Sequence, residues 1–422
     1  MAGAGAPVQR RADTLRETID EGDLDALQRA VKGPGPPADP VGRLALASFP
    51  ARHHAPARFS VFPAALGGTI HEIDINPAID SSETMGRAMK IDASLEGALE
   101  TVADRARFLE DCGYDGITSS ETTHDPFLPL VLAAEHTSRV ELMTAIAVAF
   151  ARNPASLAHL GHDLNAFSGG RFVMGLGSQI RPHIQRRFSM PWSRPAARMK
   201  EFIQAVHAIW DCWYEGKPLD FRGAFYSHTL MTPAFSPDDT RYGRPKIMLA
   251  AVGPRMTETA AEVSDGIVLH PFTTERYIRE VTVPIIGETL AKAGRGRSDF
   301  EIAYAPFVVT GATEEAFDAL KRETRDRIAF YGSTPAYKGV FDLHGWGDLQ
   351  PELNRLSKLG RWDEMGGLIE PDILNAFALV GEPADVVAQI ESRFAGLVDR
   401  LSVEFGDDKA TTTELVRRLK AT

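Results

Sequence analysis

From Met89 onward the chain alternates short apolar strand candidates with amphipathic helical stretches, and this rhythm constrains the fold more than any other feature. The strand candidates are 90–93, 116–119, 140–147, 172–176, 247–252, 266–270, 300–309 and 401–405. Most are continuous apolar runs, which is how strands buried on both faces read. Between them, Leu95, Leu99, Val102, Ala106 and Leu109 recur at intervals of three and four, the stripe of an amphipathic helix. Met199, Phe202, Val206, Ile209 and Trp213 form a second such stripe, with Gly216 as its stop. Eight strands alternating with helices over about 330 residues predict an α/β fold, a (β/α)8 TIM barrel. The stretch from Thr313 to about Pro383 is too long for a plain crossover and makes an insertion between strands seven and eight. It holds Phe330, Tyr331, Tyr337, Phe341, His344 and Trp346. We expect helices and loops covering the substrate side of the barrel mouth; the plainer alternatives are packing on the outer helix ring or a dimer contact.

Residues 1–88 have a different character. They carry 9 of the 27 prolines, including the run Gly33-Pro34-Gly35-Pro36-Pro37. A helical stripe from Leu15 to Val31 has no evident packing face, and 59–66 is a short apolar piece. The expectation is a poorly ordered amino-terminal extension, followed by one barrel over 89–422. The charge balance, 46 − 57 = −11, argues against a broad grip on nucleic acid. No apolar run is long enough to span a bilayer, and the first residues lack a secretory pattern. Cys112 and Cys212 have no partner at metal or disulfide spacing. These features point to a cytoplasmic protein with a small-molecule substrate, no bound metal, and neither nucleic acid nor membrane as partner.

In such a barrel the chemistry lies where strands end and helices begin. After the fourth strand comes Gly175-Leu176-Gly177-Ser178-Gln179, whose glycines let backbone amides approach an anion. Residues 178–200 then hold Arg181, Arg186, Arg187, Arg194, Arg198 and Lys200 with no acidic residue. This local excess suits a phosphate or polycarboxylate, or is simply a solvated basic face. After the fifth strand, Val252-Gly253-Pro254-Arg255-Met256 leads into a helix whose first amides favour an anion; a plain turn is the alternative. The small apolar run 144–150 suits a flat ring or ordinary packing. Candidates for proton transfer are Glu121 and His124 after the second strand, His183 after the fourth, His270 at the end of the sixth and Glu404 at the end of the eighth. Each has an ordinary hydrogen-bonding role as its alternative. No nucleophile elbow or Walker loop is present.

The run 171–178, the Asn153-Pro154 turn, and Ala250-Ala251-Val252-Gly253-Pro254 followed by Ser264-Asp265-Gly266 resemble the bacterial luciferase-like superfamily, most closely its F420-dependent branch. The resemblance runs from 89 to 406. It implies a (β/α)8 barrel with an insertion, commonly a homodimer, whose deazaflavin ring rests on a third-strand bulge, often with a cis peptide bond. By similarity that bulge falls at Ala145 and Ile146. The resemblance places the cofactor phosphate at Gly177, Ser178 and Gln179 and at Val252, Gly253, Pro254, Arg255 and Met256. The polyglutamate tail falls to Arg181, Arg186 and Arg187. The sequence departs from the branch after the second strand, where Glu121-Thr122 replaces an Asp-His pair, and near Ile180, where some members carry a glutamate. The resemblance therefore implies an oxidoreductase that moves a hydride at C5 of F420. The alternatives are an FMN-dependent monooxygenase of the same superfamily and a barrel that binds cofactor without catalysis.

Overall fold

The computed structural model describes residues 88–421. The expected amino-terminal extension falls almost wholly on residues 1–87, outside the described residues. Eight parallel strands close into a barrel: β1 (Lys90–Ser94), β2 (Gly116–Ser119), β3 (Glu141–Thr144), β4 (Phe172–Gly177), β5 (Lys246–Ala251), β6 (Gly266–Leu269), β7 (Glu301–Tyr304) and β8 (Arg400–Ser402). Each pairs with its sequence neighbours, β8 pairs back onto β1 through Ile91 and Leu401, and Leu142 lies opposite Phe172 across β3 and β4. All six residues of β4 and all four of β2 are buried, as continuous apolar runs require.

The helices form where the periodicity placed them. α1 (Leu99–Asp111) buries Val102, Ala106 and Leu109 against the sheet. After α2 (Phe127–His136), α3 (Pro154–Phe167) starts at Asn153, whose side chain accepts from the Ser156 amide at 2.9 Å. α4 (Pro195–Glu215) buries Met199, Phe202, Val206, Ile209, Trp210 and Trp213. The main core lies between strands and helices. Inside the barrel, Met143, Val173, Met248 and Ala303 form a separate plug, with Ala145 and Val268 packed on it.

Below this plug, at the amino-terminal end of the strands, lies a layer of charge. Arg400, about 1% exposed, grips Asp92 through two bonds of 2.8 and 2.9 Å and also meets Glu141 and Glu301. Lys90 pairs with Glu141 at 2.8 Å, and Lys246 with Glu301 at 2.6 Å. Gly116 is required beside it: a Cβ there would lie 2.3 Å from Asp92 Oδ1 and 2.6 Å from Arg400.

Two strand expectations are corrected. The strand expected over 140–147 stops at Thr144, and the one expected over 300–309 leaves the barrel after Tyr304. Phe307–Val309 instead pairs in parallel with Ala378–Val380, and this two-stranded piece frames the insertion. Between them lie helices at Glu314–Gly332, Lys338–Leu343, Leu349–Lys358, Trp362–Met365 and Pro371–Phe377. Their own apolar core includes Tyr331, Phe341 and Phe377 and reaches Phe272, just past the end of β6. Thr274 and His344 meet at 2.8 Å, and the His344 ring stacks on Trp346. The insertion therefore docks at the carboxy-terminal side of the barrel, as the mouth-covering expectation requires.

Candidate active site at the carboxy-terminal mouth

The mouth is built around the break in β3. The Ala145–Ile146 peptide is cis, and Ala147 and Val148 then rejoin the sheet opposite Leu176 and Gly177. A bulge thus stands where the resemblance placed one, at Ala145 and Ile146. Hydrophobicity did not reveal where the strand ends, because the residues on both sides are equally apolar. Gly175 permits the close approach of β4, since a Cβ there would lie 1.8 Å from the Thr144 carbonyl oxygen.

Glu121, a proton-transfer candidate, is held by an ion pair. Its carboxylate accepts from the Val148 amide at 2.7 Å and from Arg152 at 2.6 Å, so both contacts tie it to the bulge and the turn after it. His124, in the same loop, is exposed. Arg152, which sequence reasoning missed, lies in a different loop, and only the fold reveals the pair.

The loop after β4 buries Ser178 and Gln179. Gln179 has a positive φ of 58°, and its side-chain oxygen accepts from the Ile180 amide at 2.9 Å. A short π-helical turn follows, His183–Arg187. The six cations of 178–200 do not form one patch. Arg198 is buried, bonded to Tyr226 and the Pro191 carbonyl and stacked on Phe150. Arg194 lies over Phe225, and Lys200 pairs with Glu262 at 2.7 Å. Arg181, Arg186 and Arg187 remain exposed, with no carboxylate partner among the described residues. Arg187 donates to the Thr122 carbonyl at 2.8 Å, which draws this turn toward the loop after β2. His183 is half-buried, and burial together with the Arg187 charge pushes its pKa below the ordinary value.

The loop after β5 turns at Gly253, with φ 75° and ψ 162°. A Cβ on Gly253 would meet nothing within 4 Å, and no side chain caps the helix it starts, α5 (Pro254–Val263). Uncapped amides facing open space are groups that a ligand can satisfy. Val252 and Met256 are half-buried, and Pro254 and Arg255 are exposed. Beside this turn a cleft of about 480 Å³, open to solvent, is lined by Val252, Gly253, Pro254, His270, Tyr277 and Tyr337, among others. His270 is buried. Its Nδ1 accepts from the Phe272 amide at 3.0 Å, which places the proton of the neutral ring on Nε2. Its ring lies 4.7 Å from Tyr331 and 5.1 Å from Tyr337.

The structure thus joins His270 to the fifth-strand loop and the insertion, and joins the basic turn to the loop after β2. Glu121 and His270 follow strands four places apart in a ring of eight, so they stand on opposite sides of the mouth. Among the described residues no group of His, Cys, Asp or Glu is arranged to hold a metal, and no helix is long and apolar enough to cross a membrane.

A closed (β/α)8 barrel with a bulged third strand and an uncapped helix start after the fifth frames this mouth. The chain belongs to the luciferase-like monooxygenase family, whose sequence pattern matches residues 81–400. It is 52% identical over 315 residues to an uncharacterised protein of Mycobacterium tuberculosis, covering 75% of this chain and 93% of that one. It is 26% identical over 320 residues to the 5,10-methylenetetrahydromethanopterin reductase of Archaeoglobus fulgidus, covering 74% and 91%. Among solved structures, the coenzyme F420-dependent tetrahydromethanopterin reductase of Methanopyrus kandleri matches with a TM-score of 0.63 at 22% identity, covering 78% of this chain and 97% of that one. The EDTA monooxygenase of Chelativorans matches with 0.61 at 16%, covering 79% and 94%. At those identities the two structures establish the fold.

Proposed function

We propose that this protein is an F420-dependent oxidoreductase acting on a small organic substrate. The observation that carries the reading is the set of exposed arginines, Arg181, Arg186 and Arg187, on the turn beside the mouth and without carboxylate partners among the described residues. A polyglutamate tail supplies the missing anions, and FMN has none. A Mycobacterium tuberculosis relative, 28% identical over 327 residues and described as a putative coenzyme F420-dependent oxidoreductase, supports the same choice. The residues fit such a group: Gly253 and the uncapped start of α5 leave room and amides for a phosphate, with Ser178 and Gln179 at the end of the neighbouring strand β4. The bulge at Ala145 and Ile146 backs the ring. When bound, the deazaflavin supplies a hydride-carrying carbon, and the chain supplies position, charge and exclusion of water. Among the histidines that could handle a proton, His124, His183 and His270, we favour His183. Its lowered pKa leaves it neutral and able to accept a proton at neutral pH. A homodimer in the cytoplasm is part of this proposal.

The test is a fluorescence titration with F420 of different tail lengths and with FMN. Replacing Arg181, Arg186 and Arg187 together by Gln weakens long-tailed F420 by roughly tenfold to a hundredfold, since each exposed contact is worth under about 1 kcal/mol. The loss shrinks as salt rises, because exposed charges are screened beyond about 8 Å at physiological ionic strength. Equal wild-type affinities for long and short tails overturn the tail assignment, and tighter binding of FMN makes the protein a flavin monooxygenase candidate instead.

A further inference from the structure

We propose that Ser120, Glu121 and Arg152 are positioning residues that set the backing of the cofactor ring by gripping the third-strand bulge from its β2 side. The inference rests on the cofactor reading above and adds residues that act through the bulge.

The grip is made one residue at a time. The Ser119 carbonyl accepts from the Ala145 amide at 2.8 Å. Ser120 Oγ donates to the Ala145 carbonyl at 2.9 Å. The Glu121 amide donates to the Ile146 carbonyl at 3.2 Å, and the Glu121 carboxylate accepts from the Val148 amide at 2.7 Å. Three consecutive residues of one strand end thus hold backbone groups of Ala145, Ile146 and Val148, where the regular ladder between β2 and β3 has already ended.

Arg152 closes the arrangement. One guanidinium nitrogen donates both to Glu121 at 2.6 Å and to the Val148 carbonyl at 3.2 Å. The other donates to Asp125 at 2.9 Å, and the guanidinium lies 5.5 Å from the centre of the Phe127 ring. The pair is largely shielded, with side chains 10% and 18% exposed, so its charge-assisted bonds are little weakened by water. Ala145 packs on the plug inside the barrel, so a shift of this segment moves the surface that faces the mouth. Stability alone asks only that the backbone groups be satisfied. The convergence of the Ser120 and Glu121 side chains and one ion pair on this segment, held at Ala145, Ile146 and Val148, also fixes its placement, which is what a ring contact needs.

The experiment compares Glu121→Ala, Arg152→Lys and Ser120→Ala with the wild type in the full chain. The probes are F420 and FMN, each beside its ring alone without the phosphate-bearing chain. Binding is read by fluorescence and by the visible absorption band of the bound ring, with melting temperature as the control for folding. Glu121→Ala should weaken the bare ring and the whole cofactor by the same factor, about tenfold, and move the absorption band toward that of the free ring. Arg152→Lys keeps the charge but cannot fork to both partners, so its loss is smaller. Ser120→Ala removes one hydrogen bond and should shift the band in the same direction; it serves as the readout if Glu121→Ala does not fold. Folded variants with unchanged ring affinity and an unmoved band overturn the inference, even if their melting temperatures fall. A wild type that binds neither cofactor nor ring overturns the cofactor reading itself, and this inference with it.

Discussion

At the residue scale, positions that sequence alone presents as chemistry turn out to be governed by their partners. Gly253 stands at a turn whose demand for glycine is visible only in the backbone. Its φ of 75° lies where side-chain-bearing residues are strained, while the space in front of it is open. Gly253→Val should therefore cost about 1–3 kcal/mol of stability through backbone conformation. The barrel still folds, and cofactor affinity drops by about tenfold or more as the turn shifts and the new side chain enters the ligand's space. Thermal melting and a cofactor titration on the same variant check both halves, and unchanged affinity in the folded variant removes this turn from the site. A glutamate at a strand end reads as a candidate acid, and nothing near it in sequence announces Arg152, which follows a different strand. The bulge itself was legible only through resemblance, because residues 144–150 are uniformly small or apolar.

At the element scale, the order of strands and helices was legible because burial on both faces writes itself into continuous apolar runs, and helix stripes repeat at three and four. The end of β7 was not, since Phe307–Val309 is as apolar as the strand before it and only its pairing with Ala378–Val380 separates the two. The insertion was recognised by length and aromatic content, and its attachment is now specific. It rests on Phe272, which packs 4.6 Å from Phe377 and 5.2 Å from Phe341, on the Thr274–His344 bond, and on Arg276 donating to the Leu343 carbonyl at 2.9 Å. Thr274→Val removes two hydrogen bonds, the one to His344 and the one its hydroxyl accepts from the Tyr277 amide at 3.1 Å, each worth about 0.5–1.5 kcal/mol. If the insertion is a unit that opens on its own, amide exchange in 338–346 should speed up in this variant while β1 to β8 keep their protection. Uniform acceleration across the barrel would show instead that insertion and barrel open together, and a mouth cover that moves on its own would lose its physical basis.

At the scale of the whole molecule, one end of the barrel is open for chemistry and the other is sealed by buried charge. The seal was not legible: Lys90, Asp92, Glu141, Lys246, Glu301 and Arg400 sit in five strands across the length of the barrel, each an unremarkable charge near a strand start. Together they tie stability to pH. Burial alone raises the pKa of Glu301, but the hydrogen bond from Lys246 and the charges of Arg400 and Lys90 outweigh it and hold the carboxyl at about 2. Glu141 is likewise lowered: burial opposes the shift, and Arg400 and Lys90 overcome it. An unfolded glutamate titrates near about 4.3, so between that pH and about 2 the unfolded chain binds more protons than the native one. Stability therefore rises with pH across this window: Glu301 contributes fully above it and is lost progressively as pH falls through it. A shift of about two units corresponds to about 3 kcal/mol for Glu301, whose side chain is 3% exposed. Urea unfolding from pH 6 to pH 2.5 should show a midpoint that holds near neutrality and declines below about pH 4.5. Glu301→Gln leaves Lys246 and Arg400 undercompensated, so it is less stable at pH 6, and its decline in acid is shallower because the titrating group is gone. An acid limb as steep in Glu301→Gln as in the wild type would place the acid sensitivity elsewhere and reduce the charged layer to a filler of the barrel floor.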